Sequence, residues 1–299
     1  TFATNLIQVN DAGESEEFVK YMGFLNNLKK EGAELKEKLK NASADEKSKI
    51  KNQLEELTPS LHQYWKRIEN EFPNSFLAKF LMSNNVPKLD ESALPDEILQ
   101  NDSLLLLARF KYQQKHFWEN FDYTDERFLY TPLLKPKMET WFTKVLYQNY
   151  DSVRPQVFEF IENVRPQKRI FQFATSFFLN SSINSNIMGM DALFVDLAKT
   201  YYLSGEAFWA TDESLKKIKE NVLFFESNLI GKVAPNLTFE SVDGEFFELH
   251  KIEKKRTCVL IYEPNCSHCK VFVPQFYTDV YQKYKDKGLE VFAIYSMDN

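Results

Sequence analysis

The sequence predicts a mainly α protein, a multi-helical N-terminal region followed by a smaller α/β region made of a β-hairpin and a βαβ unit. Three observations predict it. From Ser15 to about residue 226, apolar side chains recur at three-, four- and seven-residue spacings, the period of helices with one buried face. From Leu237 the period drops to two, as in a half-buried strand. Near the C-terminus an apolar, β-favouring run at 258–262 leads straight into Cys266-Ser267-His268-Cys269 and a second helical pattern.

A chain of 299 residues is long enough for two domains with sizeable cores. Its 27 Phe and 14 Tyr imply aromatic-rich packing. The net charge of −6, with both signs interspersed, argues against a generic nucleic-acid surface, which is basic. No apolar run approaches the roughly 20 residues of a membrane span, and no signal peptide opens the chain. Thr1 is not a natural start, so a mature or excised form is expected, in which a leader or lipid anchor would be unseen.

Residues 5–9 read as a short apolar strand before a turn at Asp11-Ala12-Gly13. A lone strand is not stable, so residues 1–14 are expected to be the remnant of a preceding domain. The helical region follows at 15–226. Its first part, 15–71, reads as a long antiparallel hairpin: Phe18, Met22, Leu25, Leu28, Leu35 and Leu39 form one stripe, and Ile50, Leu54, Leu57, Leu61 and Ile68 the other. Ser43 with Glu46 is a capping-box signature for the second helix. The Lys/Glu-rich outer faces, with pairs such as Glu34 and Lys38, read as solvated; a partner-binding coiled coil is the alternative.

Residues 75–226 read as a helical bundle. Helices are expected at 75–83, 102–120, 132–149, 151–163, 167–182, 187–203 and 211–226, with a capped loop after Phe121 and a polar break at 180–186. No Gly-rich phosphate loop, G-x-S-x-G or H-E-x-x-H occurs. His62 and His116 stand beside aromatics and read as packed or surface histidines before catalytic ones. Arg127, Arg154, Arg165 and Arg169 would form an anion site only if the fold gathered them.

A linker is expected at 227–232 and a second domain at 233–299. Asp243-Gly244 is a hairpin turn signal between 237–241 and 246–249. Then come a buried-type strand at 257–262, a helix at 267–286 ended by Lys285-Asp286-Lys287-Gly288, and a strand at 289–295. Strand, helix, strand with so short a crossover makes the strands parallel.

The three cysteines, Cys258, Cys266 and Cys269, all lie in this last part. That is no disulfide framework; it reads as a redox pair with a bystander. Thiol–disulfide exchange needs a thiolate, and free cysteine titrates near ~8.5. Cys266 sits where strand gives way to helix, where unpaired N–H groups and the helix dipole favour an anion. Cys269, one turn on, is placed to attack a mixed disulfide on Cys266. His268 between them is a further stabiliser of the thiolate, which would make the disulfide more oxidising. A stable disulfide or an inert pair is the plainer alternative. A zinc site lacks a second close Cys/His pair and would need His250 and Cys258 by accident of folding. Cys258 itself reads as a buried strand residue. No metal and no cofactor is expected.

Residues 231–299 resemble thioredoxin-like proteins of the bacterial envelope, the TlpA/ResA type. The likeness is carried by Gly231-Lys232-Val233-Ala234-Pro235, the Asp243-Gly244 turn, Val259-Leu260-Ile261-Tyr262, Cys266-Ser267-His268-Cys269-Lys270, and Pro274 five residues after the second cysteine. It implies that Cys266 is the nucleophile and Cys269 resolves, with Ser267, His268 and Pro274 tuning the pair. It also implies a periplasmic or envelope location, with protein thiols or disulfides and an envelope redox partner. Ser-His between the cysteines is closer to the Pro-His of DsbA-like oxidants than to the Gly-Pro of thioredoxin, and Asn265 replaces the usual aromatic, with Glu263-Pro264 ahead of it. Residues 75–226 also look like a helical domain of no known activity that precedes such domains in Gram-negative envelope proteins, through the stretches 116–121 and 127–132. The family has a cis-proline loop, two further strands and a helix, but this sequence ends at Asn299 with no proline after Pro274. An incomplete domain of weak or absent activity is therefore expected. A peroxiredoxin would want a threonine where Glu263 stands. The alternative function is a non-catalytic envelope binding module with a degenerate thioredoxin-like appendage.

Overall fold

The stripe at the start of the chain folds as two helices, α1 (Gly13–Asn41) and α2 (Ala44–Glu71). The computed structural model describes residues 13–241 and 243–296, so the strand expected at 5–9 lies outside the described residues. Gly13, expected in a turn, and Glu14 belong to α1. The helices run antiparallel: Glu17 meets Tyr64 and Arg67, Tyr21 meets Trp65, and Gly32 lies against Leu57. The backbone N–H and hydroxyl of Ser43 donate to the Glu46 carboxylate at 2.9 and 2.7 Å, closing the start of α2. A β-carbon at Gly32 would come within 3.3 Å of the Leu57 side chain, which would have to shift by a few tenths of an ångström, so the two helices approach closely here. Tyr21, Trp65 and Ile68 pack on Leu77, Ala78 and Leu81 of α3 (Phe76–Met82) as a small core.

Glu17 is a buried carboxylate in this hairpin. Burial pushes its carboxyl up, but hydrogen bonds from Arg67 (2.5 Å), Tyr64 (2.9 Å) and Lys20 (3.3 Å) outweigh that and hold it below the usual carboxylate range. A depressed carboxyl contributes stability that is present above its unfolded value, near ~4.3, and lost as the pH falls through the folded one. Glu17→Gln is expected to cost about 1–3 kcal/mol at neutral pH and less below pH ~4. Urea midpoints measured at both pH values check this; an equal cost at both would refute the assignment.

The bundle continues through α4 (Asp96–Leu99), α5 (Asp102–His116), α6 (Leu134–Thr140), α7 (Tyr150–Val164), α8 (Lys168–Ile183), α9 (Met190–Leu197) and α10 (Asp212–Glu226). Asn101 caps α5 by accepting the Ser103 and Leu104 N–H groups at 3.0 and 3.2 Å. α5 stops at His116, short of the expected residue 120, where Phe117 and Phe121 turn inward and are buried. α6 and α9 each run on into one π-helical turn, Trp141–Val145 and Ala198–Tyr202. The centre is aromatic: Phe160 touches Trp118 (5.3 Å between ring centroids), Trp141 (5.5 Å) and Phe178 (5.5 Å). Such edge and tilted contacts add to the area they bury.

His62 is exposed against Trp65, and His116 stacks on Tyr112 at 4.1 Å and bonds Glu119. Arg127 pairs with Asp125, Arg154 with Asp196, and Arg165 with Glu162 and Glu206. Three of the four arginines that could have gathered into an anion site are thus neutralised by carboxylates, and Arg169 lies over the Tyr130 ring.

The chain divides between Val222 and Leu223 into two compact units. The second contains β1 (Thr238–Glu240) antiparallel to β2 (Phe246–Glu248), and β3 (Arg256–Tyr262) parallel to β4 (Leu289–Tyr295). The register of the parallel pair runs from Arg256 opposite Leu289 to Tyr262 opposite Tyr295. Each pair is a separate two-stranded sheet. Gly288 enters β4 with φ 92°, where a β-carbon would also press on Lys255 at 3.1 Å, so the expected helix stop requires its glycine.

The crossover is not one continuous helix. α11 (Ser267–Phe276) gives way to a π turn at Tyr277–Tyr281, a short α12 (Gln282–Tyr284) and a 3-10 turn. Pro274 inside α11 has no N–H to donate, and the ladder relaxes in the next turn, where the Thr278 hydroxyl bonds the Pro274 carbonyl at 3.0 Å. Among the described residues of this unit only Phe292 is buried. Cys258, expected to be buried, is only half-buried, because a two-stranded sheet leaves its flanks partly open.

Candidate functional site

The site is the junction of β3 and α11. Tyr262 closes β3, and its carbonyl accepts the Ser296 N–H at 2.9 Å beyond the end of β4. Glu263, Pro264 and Asn265 form a turn closed by the Cys266 N–H on the Glu263 carbonyl at 3.2 Å. Cys266 is the N-cap of α11, with extended backbone (φ −69°, ψ 126°). Its carbonyl accepts the Lys270 N–H at 3.1 Å, so its backbone opens the helix while its sulfur stands at the helix start.

That position fixes the electrostatics. The Cys266 sulfur accepts the backbone N–H of Cys269, then that of His268, and is also bonded by the Cys269 thiol. These donors hold its thiol below the ordinary cysteine range; partial burial and the nearby Glu263 carboxylate act the other way and are outweighed. The two cysteines face each other one turn apart, both half-exposed, with free thiols. Each cysteine is thus partly open to solvent, and the Cys269 thiol lies within bonding reach of the Cys266 sulfur.

The other residues singled out in the sequence are placed differently. Ser267 and His268 are exposed. His268 reaches the cysteine sulfur through its backbone N–H, a contribution that any non-proline residue there would make. Pro274 lies further along α11, exposed, and shapes the helix. Glu263 is the electrostatic neighbour that sequence reasoning misses; an acid three residues before the cysteine is the signal for it. His250 bonds the Ala234 carbonyl at 2.7 Å, and no group of three or more potential metal ligands occurs among the described residues. None of their helices is long and apolar enough to cross a membrane.

A solved structure aligns with 72% of this chain and 74% of its own, at a TM-score of 0.50 and 16% identity: a thioredoxin-like protein from Bacteroides caccae ATCC 43185. The C-terminal unit, a β-hairpin and a βαβ unit, is a partial thioredoxin-like fold. The aligned share is larger than this unit alone. Three curated proteins called thiol-disulfide oxidoreductase ResA, from Bacillus thuringiensis, Bacillus cereus and Bacillus anthracis, are each 32% identical over 69 residues. That match takes in 23% of this chain and spans only 39% of each relative's length. No family model matches the chain.

Proposed function

We propose that this protein carries out thiol–disulfide exchange in the bacterial envelope, with Cys266 as nucleophile and Cys269 as resolving thiol. The observation that carries the reading is the lowered Cys266 thiol at the start of α11; the short ResA likeness and the thioredoxin-like fold support it. The Cys266 thiolate attacks one sulfur of a protein disulfide. That S–S bond breaks, a mixed disulfide forms, and the leaving thiolate takes up a proton. Cys269 then loses its proton and attacks the Cys266 sulfur. The mixed disulfide breaks, the second substrate thiolate leaves, and a Cys266–Cys269 disulfide remains. Two electrons have passed to the substrate; the reverse sequence oxidises a protein dithiol. An envelope redox partner would reset the pair, and Ser267, His268 and Pro274 would tune it.

The direct test is competitive alkylation of the native reduced protein with iodoacetamide at pH 6.5, mapped by mass spectrometry. Cys266 is expected to react first, ahead of both Cys258 and Cys269. Three thiols with equal, slow rates would remove the basis for the reading.

A further inference from the structure

Of the helices longer than ten residues that the structure describes, α8 alone contains no Asp or Glu. Its polar row is Gln172, Ser176 and Asn180 at four-residue intervals, with Gln172 and Asn180 exposed and Ser176 half-buried against the Tyr202 hydroxyl at 3.1 Å, and Asn184 caps the helix one step further on. At a rise of 1.5 Å per residue this row is about 18 Å long. Beside it run the half-buried Phe173 and Phe177. Both rows line one groove of about 830 Å³, which Tyr130 also lines.

Asn and Ser are poor helix formers, each costing about 0.5 kcal/mol relative to alanine. A face that only meets water is better built from Glu and Lys, as the outer faces of α1 and α2 are. Here the amides are also held in order. The Asn180 side-chain N–H donates to the Ser176 carbonyl at 2.8 Å, and that of Asn184 to the Asn180 carbonyl at 2.7 Å. Their Oδ1 oxygens remain as aligned acceptors. The groove carries one net positive charge: Lys135 approaches Glu139 at 3.9 Å and offsets it, while the Arg169 guanidinium lies 5.1 Å from the centroid of the Tyr130 ring. Tyr130 itself is 69% exposed, an aromatic side chain largely open to solvent at the groove.

A long groove of this volume, with aromatic walls and converging uncharged polar groups, has the make-up of a ligand site. Groups that donate and accept, aromatic rings beside them and little net charge suit a molecule with many hydroxyls and apolar C–H faces. We propose that this groove of the helical unit binds a neutral oligosaccharide chain, independently of the cysteine chemistry.

The test uses the full chain and calorimetric titration with maltotetraose, cellotetraose, chitotetraose and mannotetraose. At least one is expected to bind with a Kd below about 10 mM. Tyr130→Ala, and separately the double variant Asn180→Ala/Asn184→Ala, are each expected to weaken that binding about tenfold or more. The double variant should keep the parent's far-UV circular dichroism, since alanine favours the helix at 180 and only one exposed end bond is lost with Asn184; lost binding would then not be lost folding. Failure of all four sugars to bind would overturn the proposal. So would binding that both variants leave unchanged, or a preference for the acidic tetragalacturonate over every neutral sugar.

Discussion

Replacing Cys266 by alanine is expected to abolish reduction of a protein disulfide, lowering the rate about a thousandfold or more. Cys269→Ala is expected to leave the first attack intact and to accumulate a mixed disulfide that runs as a covalent adduct on a non-reducing gel. The reason is the asymmetry at the start of α11: the Cys266 sulfur collects two backbone N–H groups and the Cys269 thiol. Activity should therefore follow the Cys266 thiolate, with a midpoint below the ordinary thiol value of ~8.5. The sign is that of a depressed acid. The thiolate contributes stability to the reduced protein above the unfolded thiol value, and loses it as the pH falls through the lower folded one. A Cys266→Ala variant with parental exchange rate, or an alkylation midpoint at or above ~8.5, would defeat the assignment.

In the helical unit, Phe178→Ala is expected to be the most damaging single truncation, at about 3–5 kcal/mol. Phe178 is fully buried and its ring touches Trp141, Phe142, Phe160 and Phe177. Removing it leaves a hole ringed by stiff aromatic side chains that cannot collapse to fill it. Urea unfolding followed by far-UV circular dichroism measures the loss. A shift under about 1 kcal/mol would mean that the neighbouring rings repack.

The fold class is legible because apolar periodicity is strong in both regions. The parallel βαβ unit follows from a crossover that is little more than one helix, which carries the chain back to the end where the first strand began, and the Ser43/Glu46 cap from two residues at the right spacing. What remains hidden depends on side chains meeting across the chain. Nothing local at Phe117 says that α5 ends there; the buried rings of Phe117 and Phe121 decide it. The three π turns, at Trp141–Val145, Ala198–Tyr202 and Tyr277–Tyr281, carry no composition signal except for the proline ahead of the last. At the candidate site the cysteine spacing marks the pair, but the Cys269 and His268 N–H groups that bond Cys266 belong to the backbone and are read only once the helix start is placed. The Asn180 and Asn184 row reads in sequence as a break after α8, and only the helix geometry turns it into a wall of a groove.

The two-stranded sheet of β3 and β4 bears on how this protein comes apart. A parallel pair ordinarily needs cover on both faces, yet here Val259 and Ile261 are exposed and only Phe292 is buried. Cooperative strength is therefore concentrated in the helical bundle, and the strand that delivers the redox pair belongs to the part of the molecule that opens most readily. Cys258 lies in that strand opposite Val291, half-covered and outside the pair. Once Cys266 and Cys269 are blocked, the reaction of Cys258 with a bulky maleimide becomes a clock for sheet opening, and the chain carries its own probe of local unfolding a few residues from its reactive sulfur.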